Sequence, residues 1–293
     1  MASQMKPAPV NEIKALVALL DDPDAEVNTL VNHRLEEYGV AAIPHLEEEW
    51  EHTADEEMQE RILLLIHRLQ YHDLLNDLRE WRNNPYHDLL FGALLICKYQ
   101  YPDLQATPVI QQLERIKRSI WLELNSFLTP LEKMHVFTRM LHLGFGLKGT
   151  ELAYQHPDDF LVHKTLETRR GNLFSNALLY MILAELLDLP LRVVNIPRQF
   201  LIGYYSTDPQ VAPSPRKAIA FFIDPVSGQI FSHEHIDGYF RKINVPVVKS
   251  YFRPLSNQEI LQQLTEQLSR CFDGEAYRYK QDELMNIARL LND

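Results

Sequence analysis

Few side chains in this sequence have the types and spacing that bond chemistry requires. Ser175 lies near the start of a strongly apolar run, where its hydroxyl becomes a nucleophile only if a base takes its proton. His233 and His235, in Ser232-His233-Glu234-His235, could supply that base if they lie on a strand that folds back over Asp224. On a strand both rings of a His-x-His pair face the same way, which also suits a metal, but no third ligand accompanies them. A serine within a helix more often bonds back to a carbonyl one turn earlier, and histidines of an exposed hairpin are usually solvated. Asp224 precedes Pro225, and an Asp before Pro typically opens a turn and accepts its backbone N–H groups. Cys97 and Cys271 sit in apolar-periodic segments without Cys-x-x-Cys or Cys/His spacing and are expected to be core thiols. No metal and no cofactor are expected. Arg169 and Arg170, just before a helix start, could join Arg192 and Arg198 in a basic pocket for a carboxylate or phosphate. The alternative for Arg169 and Arg170 is an internal ion pair with Glu167 or Asp224.

These residues need elements to position them. From about Asn172 to Leu187 the sequence is apolar all round, so this helix must be surrounded by protein. Leu191–Ile196, Phe200–Tyr205, Ala218–Ile223 and Gln229–Ser232 are short runs, the first three rich in Val, Ile, Phe and Tyr, that predict a small antiparallel sheet. Ser206 to Lys217, with Pro209, Pro213 and Pro215, is a long excursion between two of them. Beyond Leu255 two helices broken at Asp273-Gly274 form a hairpin. A buried helix followed by antiparallel strands is the layout of papain-like and transglutaminase-like folds. In those folds a cysteine at the helix start is acidified by the macrodipole, a strand histidine takes the proton, and an Asp or Asn orients the ring.

The first 143 or so residues predict helix after helix: Asn11–Leu20, Asp24–Tyr38, Ala41–Trp50, Ala54–Leu69, His72–Trp81, His87–Tyr99, Thr107–Leu122 and Pro130–Leu143. Thr129, Pro130 and Glu132 spell a capping box for the last. Leu19 to Asp24, then Gly39, then Ala42-Ile43-Pro44-His45-Leu46, resembles one HEAT-type repeat, which implies stacked helical hairpins with an extended binding surface.

A second resemblance is more specific. Tyr154 and Pro157, Leu166-Glu167, Arg169-Arg170-Gly171, Ser175, Ala177 to Tyr180, Leu189-Pro190, Pro197, Phe200-Leu201 and Asp224-Pro225 resemble the SirB, or regulator-of-sirC, type of transglutaminase-like protein. The likeness runs from about Leu143 to Tyr239, and the terminal hairpin is similar to that family's tetratricopeptide-like tail. Carried over, it implies that the cysteine position is Leu173, the histidine position Gln199 and the orienting acid Asp224, and it matches Ser175 to a family serine. Leu cannot attack a carbonyl and the Gln amide is essentially non-basic, so this set cannot perform the triad reaction.

The chain has 293 residues, 46% hydrophobic and 24% charged, as expected of a folded α+β protein. Residues 1–143 are expected to form the helical domain, 144–250 the transglutaminase-like core with its small sheet, and 251–293 the terminal hairpin. The net charge of −11 disfavours nucleic acid, and Asp21 to Glu60 holds fourteen acidic residues against Arg34 alone. That stretch is a solvated face or a docking surface for a basic partner. With no long uncharged apolar run and no signal-like start, a cytoplasmic protein that neither spans a membrane nor is secreted is expected. The function that fits is protein binding or regulation without catalysis. The alternatives are a hydrolase or acyltransferase using Ser175, and an anion sensor.

Overall fold

The computed structural model describes residues 10–206 and 214–292. Residues 1–9, where no leader was expected, and the middle of the proline-rich excursion lie outside the described residues. The chain divides into two compact units, Met1–Glu80 and Trp81–Asp293.

In the first unit, α1 (Val10–Ala18), α2 (Ala25–Tyr38) and α3 (Ile43–His52) precede α4 (Glu56–Asn83), a helix that ends in the second unit. Ile13, Val17, Val31, Leu35, Leu46, Ile62 and Leu69 form the core. The carboxylate of Asp24 accepts the Glu26 N–H to start α2, and Gly39 stops it at φ 58°, where a side chain would be strained. Two helices were expected where α4 runs unbroken, because the Gln70-Tyr71 junction holds neither Gly nor Pro to interrupt it.

The second unit begins with α5 (Leu89–Gln100), α6 (Ala106–Glu123) and α7 (Pro130–Arg139). The capping box of α7 forms as its sequence implies. The helix then widens into a π turn, Met140–Phe145, closed by Gly146 at φ 86°, so it does not continue as an α-helix to Leu143. β1 (Lys148–Gly149) follows, then α8 (Val162–Thr168) and β2 (Arg170–Gly171), which pairs parallel with β1. Next come α9 (Leu173–Leu186), β3 (Leu191–Ile196), β4 (Gln199–Tyr205), α10 (Pro215–Ala218), β5 (Ile219–Ile223) and β6 (Ile230–Phe231). β3 to β6 form an antiparallel sheet in sequence order. α11 (His233–Ile243), α12 (Asn257–Ser269) and α13 (Arg278–Asn292) complete the unit.

α5 to α7 were assigned to a helical domain ending at 143, yet they belong to the compact unit of the sheet. α5 buries Leu89, Ala93, Leu94, Leu95, Ile96 and Cys97 and packs on α8, α9 and α12, while α6 packs on α8 and α9. The terminal hairpin likewise packs into this unit through α12. The segment carrying His233 and His235 was expected to be a strand and is a helix. Ser232 caps it, His235 stands at the position usually held by Glu, and Ile236 and Phe240 bury its apolar face.

Candidate functional site

The site is organised by α9. Asn172 caps it: its Oδ1 accepts the N–H groups of Phe174 at 2.9 Å and Ser175 at 3.1 Å. Residues 175–184 are all buried, so α9 is the central helix its composition implied. Leu173 is its first residue and Gln199 the first of β4, after a tight turn in which Arg198 takes φ 61°. Phe174 packs on Phe200 with ring centroids 4.9 Å apart, so the residues next to Leu173 and Gln199 touch. The Ile202↔Ile223 register places Asp224 just past β5, alongside the first half of β4. The fold therefore gathers the three positions near one another.

The Asp224 carboxylate caps its own turn, accepting from Val226 N at 3.0 Å, Ser227 N at 3.3 Å and Ser227 Oγ at 2.6 Å. Ser175 is fully buried, and its hydroxyl donates weakly to Asn172 Oδ1 at 3.4 Å. Among the described residues the only partner of that hydroxyl is Asn172, not a histidine. His233 Nε2 meets the Ile219 carbonyl at 2.7 Å, and His235 Nδ1 accepts from Ser232 N at 3.2 Å. On a helix residues two apart point in different directions, so the pair loses the shared face a metal would need. Among the described residues no group of three or more His, Cys, Asp or Glu is placed to hold a metal ion. Cys97 is buried and Cys271 half-buried, the latter less enclosed than expected; burial pushes both thiols up to about 12.

The arginines stay apart from the anticipated ion pairs. Glu167 pairs with Lys164 at 3.0 Å, Asp224 is engaged in its turn, and the Arg169 guanidinium lies over Phe145 at 5.5 Å. Arg192 donates to the carbonyl of Leu191 at 2.7 Å. Arg169, Arg170 and Arg198 are exposed and form no ion pair among the described residues.

Close packing joins α9 to the Asp224 turn. A Cβ on Gly171 would lie 2.3 Å from Asn176 Oδ1 and 2.7 Å from Ser175 Oγ, so only glycine fits. Asn176 Nδ2 donates to the Pro225 carbonyl at 3.2 Å. His142, on the π turn, was not anticipated: its Nε2 lies 2.7 Å from the Tyr180 hydroxyl and its Nδ1 3.1 Å from the Leu147 carbonyl. A carbonyl only accepts, so Nδ1 carries the proton and, in the neutral ring, Tyr180 donates to Nε2. Burial lowers the His142 pKa, partly opposed by the nearby Leu147 carbonyl and Asp224 carboxylate, and burial first and then Asp224 raise that of Tyr180. The signals available in the sequence were Asn172 before an apolar run and a tyrosine inside an apolar helix, whose hydroxyl must find a partner. Nothing local marked His142.

This geometry, a buried helix leading into an antiparallel sheet, is that of a transglutaminase-like core. Residues 107–266, more than half of the chain, match the transglutaminase-like superfamily, and the chain belongs to it. Its relatives place it with the SirB type. It is 22% identical over 180 residues to UPF0162 protein YchA of Escherichia coli, which covers 60% of this chain and 64% of that protein. It is 22% identical over 192 residues to Protein SirB1 of Salmonella typhimurium, covering 64% and 67% respectively. A UPF0162 protein of Xylella fastidiosa is 33% identical over 117 residues, 39% of this chain and 41% of that one. The chain thus spans just under two thirds of the YchA length. No solved structure matches.

Proposed function

We propose that this chain is a non-catalytic transglutaminase-like protein, acting in the cytoplasm as a regulatory module that binds another protein. The contact of Phe174 with Phe200 carries the reading, because it brings together the neighbours of Leu173 and Gln199. An aliphatic side chain and an essentially non-basic amide stand where the family reaction needs a thiol and a base. In the first unit, α2 and α3 are read as a HEAT-type hairpin, with the acidic stretch from Asp21 to Glu60 as a docking surface for a basic partner. The competing reading, acyl transfer by Ser175, has a buried hydroxyl that bonds Asn172 and, among the described residues, no histidine to take its proton.

The test uses purified full-length protein with a fluorophosphonate probe, a haloacetamide probe, and peptide cleavage and crosslinking assays. The expected result is no turnover and no labelling beyond that of Ser175→Ala. Reproducible turnover, or labelling abolished by Ser175→Ala, overturns the proposal. A second reading, anion binding at Arg169, Arg170 and Arg198, is favoured by their exposure and lack of ion pairs among the described residues.

A further inference from the structure

The α6 helix is amphipathic in an unusual way. Val109, Leu113, Ile116 and Ile120, spaced four, three and four apart, form the buried stripe that packs it into its own unit. On the other side Trp121 is 64% and Leu122 66% exposed, and Phe127, in the loop that follows, is 95% exposed. A backbone N–H of Phe127 donating to Asn125 Oδ1 at 3.0 Å makes that loop a local turn. Single exposed apolar residues are ordinary, but three large ones within seven positions form a concentration that calls for a partner.

The charge around them runs against the rest of the molecule. Arg115, Lys117 and Arg118 fall within four residues, the densest basic run of a chain whose net charge is −11. Lys117 pairs with Glu114 at 3.2 Å, whereas Arg115 and Arg118 form no ion pair among the described residues. Helical spacing sets Arg115, Arg118 and Leu122 along one line and Glu114, Arg118 and Trp121 along the next. Glu114, Arg115, Lys117, Arg118 and Trp121 enclose a shallow groove of about 420 Å³. Guanidinium groups recognise carboxylates by paired hydrogen bonds, and Trp and Arg are the side chains that most often dominate protein interfaces.

We propose that this face of α6, with Phe127, docks an acidic amphipathic segment of another protein. The inference rests on the protein-binding reading above and adds a second surface to the acidic stretch from Asp21 to Glu60. Arg115 and Arg118, one turn apart, fit carboxylates spaced one turn apart, and Trp121 and Leu122 receive an apolar side chain beside them. Three cations among several carboxylates are too few for a nucleic-acid backbone or an anionic bilayer, each of which calls for a broader basic surface.

The experiment places a photo-crosslinking benzophenone amino acid at Trp121 of the full-length protein in its native cell, and separately at Leu30, which is 70% exposed on α2. The expected product from Trp121 is a segment of another protein with net negative charge. Its yield should fall at least tenfold in Arg115→Glu/Arg118→Glu and persist in Arg115→Lys/Arg118→Lys, with thermal unfolding of both variants unchanged. Capture of lipid, nucleic acid, a second copy of this chain or a basic segment overturns the proposal, as does the absence of any product. Protein captured from Leu30 but not from Trp121 removes the α6 surface and leaves the protein-binding reading intact; no protein captured from either position removes both.

Discussion

At the scale of single residues the chemistry is one of closed valences. Asp224 spends its oxygens on its own turn, Ser175 turns inward to Asn172, and His142 shares one proton arrangement with Tyr180 and Leu147. His163 is also buried, and its pKa is lowered first by burial and then by Lys164. Both histidines thus hold their protons less tightly in the folded protein than in the unfolded chain, whose value is near 6.5. Above that pH neither state carries the charge and stability is unaffected by them. As pH falls through about 6.5, the unfolded chain takes up protons first and stability is lost, until the folded pKa values are passed. Denaturant midpoints between pH 7 and 5 should therefore fall in the wild type, and fall less in His142→Gln/His163→Gln. Equal slopes would remove these two groups as the cause.

Among the elements, α9 bears the greatest weight because everything around the site is fixed to its first turn. Asn172 satisfies two N–H groups that the helix cannot satisfy itself, in a place sealed from solvent. Asn172→Ala should cost about 1–2 kcal/mol in urea denaturation, with Asn172→Asp losing less because it keeps the acceptor. A loss no greater than that of an exposed alanine substitution would show that the cap is dispensable. Other element ends were legible from cues of the same kind: Asp24 and Gly39 bound α2, and Thr129 with Glu132 starts α7. The helix at His233 was missed because a histidine occupies the capping-box position and a His-x-His run imitates strand alternation.

For the whole molecule, the family match from 107 to 266 and the compact unit from Trp81 agree that α6 and α7 belong with the sheet. A fragment of residues 81–293 should unfold cooperatively by circular dichroism, whereas residues 144–293 should not, since the latter strips α5 and α6 from α9. Cooperative melting of the shorter piece would restore the boundary at 143. By itself the sequence determined the central helix, the sheet's main strands and the kinship, because residue identity and local periodicity carry that information. Only the tertiary structure decided which helices complete the core, that His142 meets Tyr180, and that His233 meets the Ile219 carbonyl. Those outcomes depend on contacts between residues far apart in the chain, which no local pattern encodes.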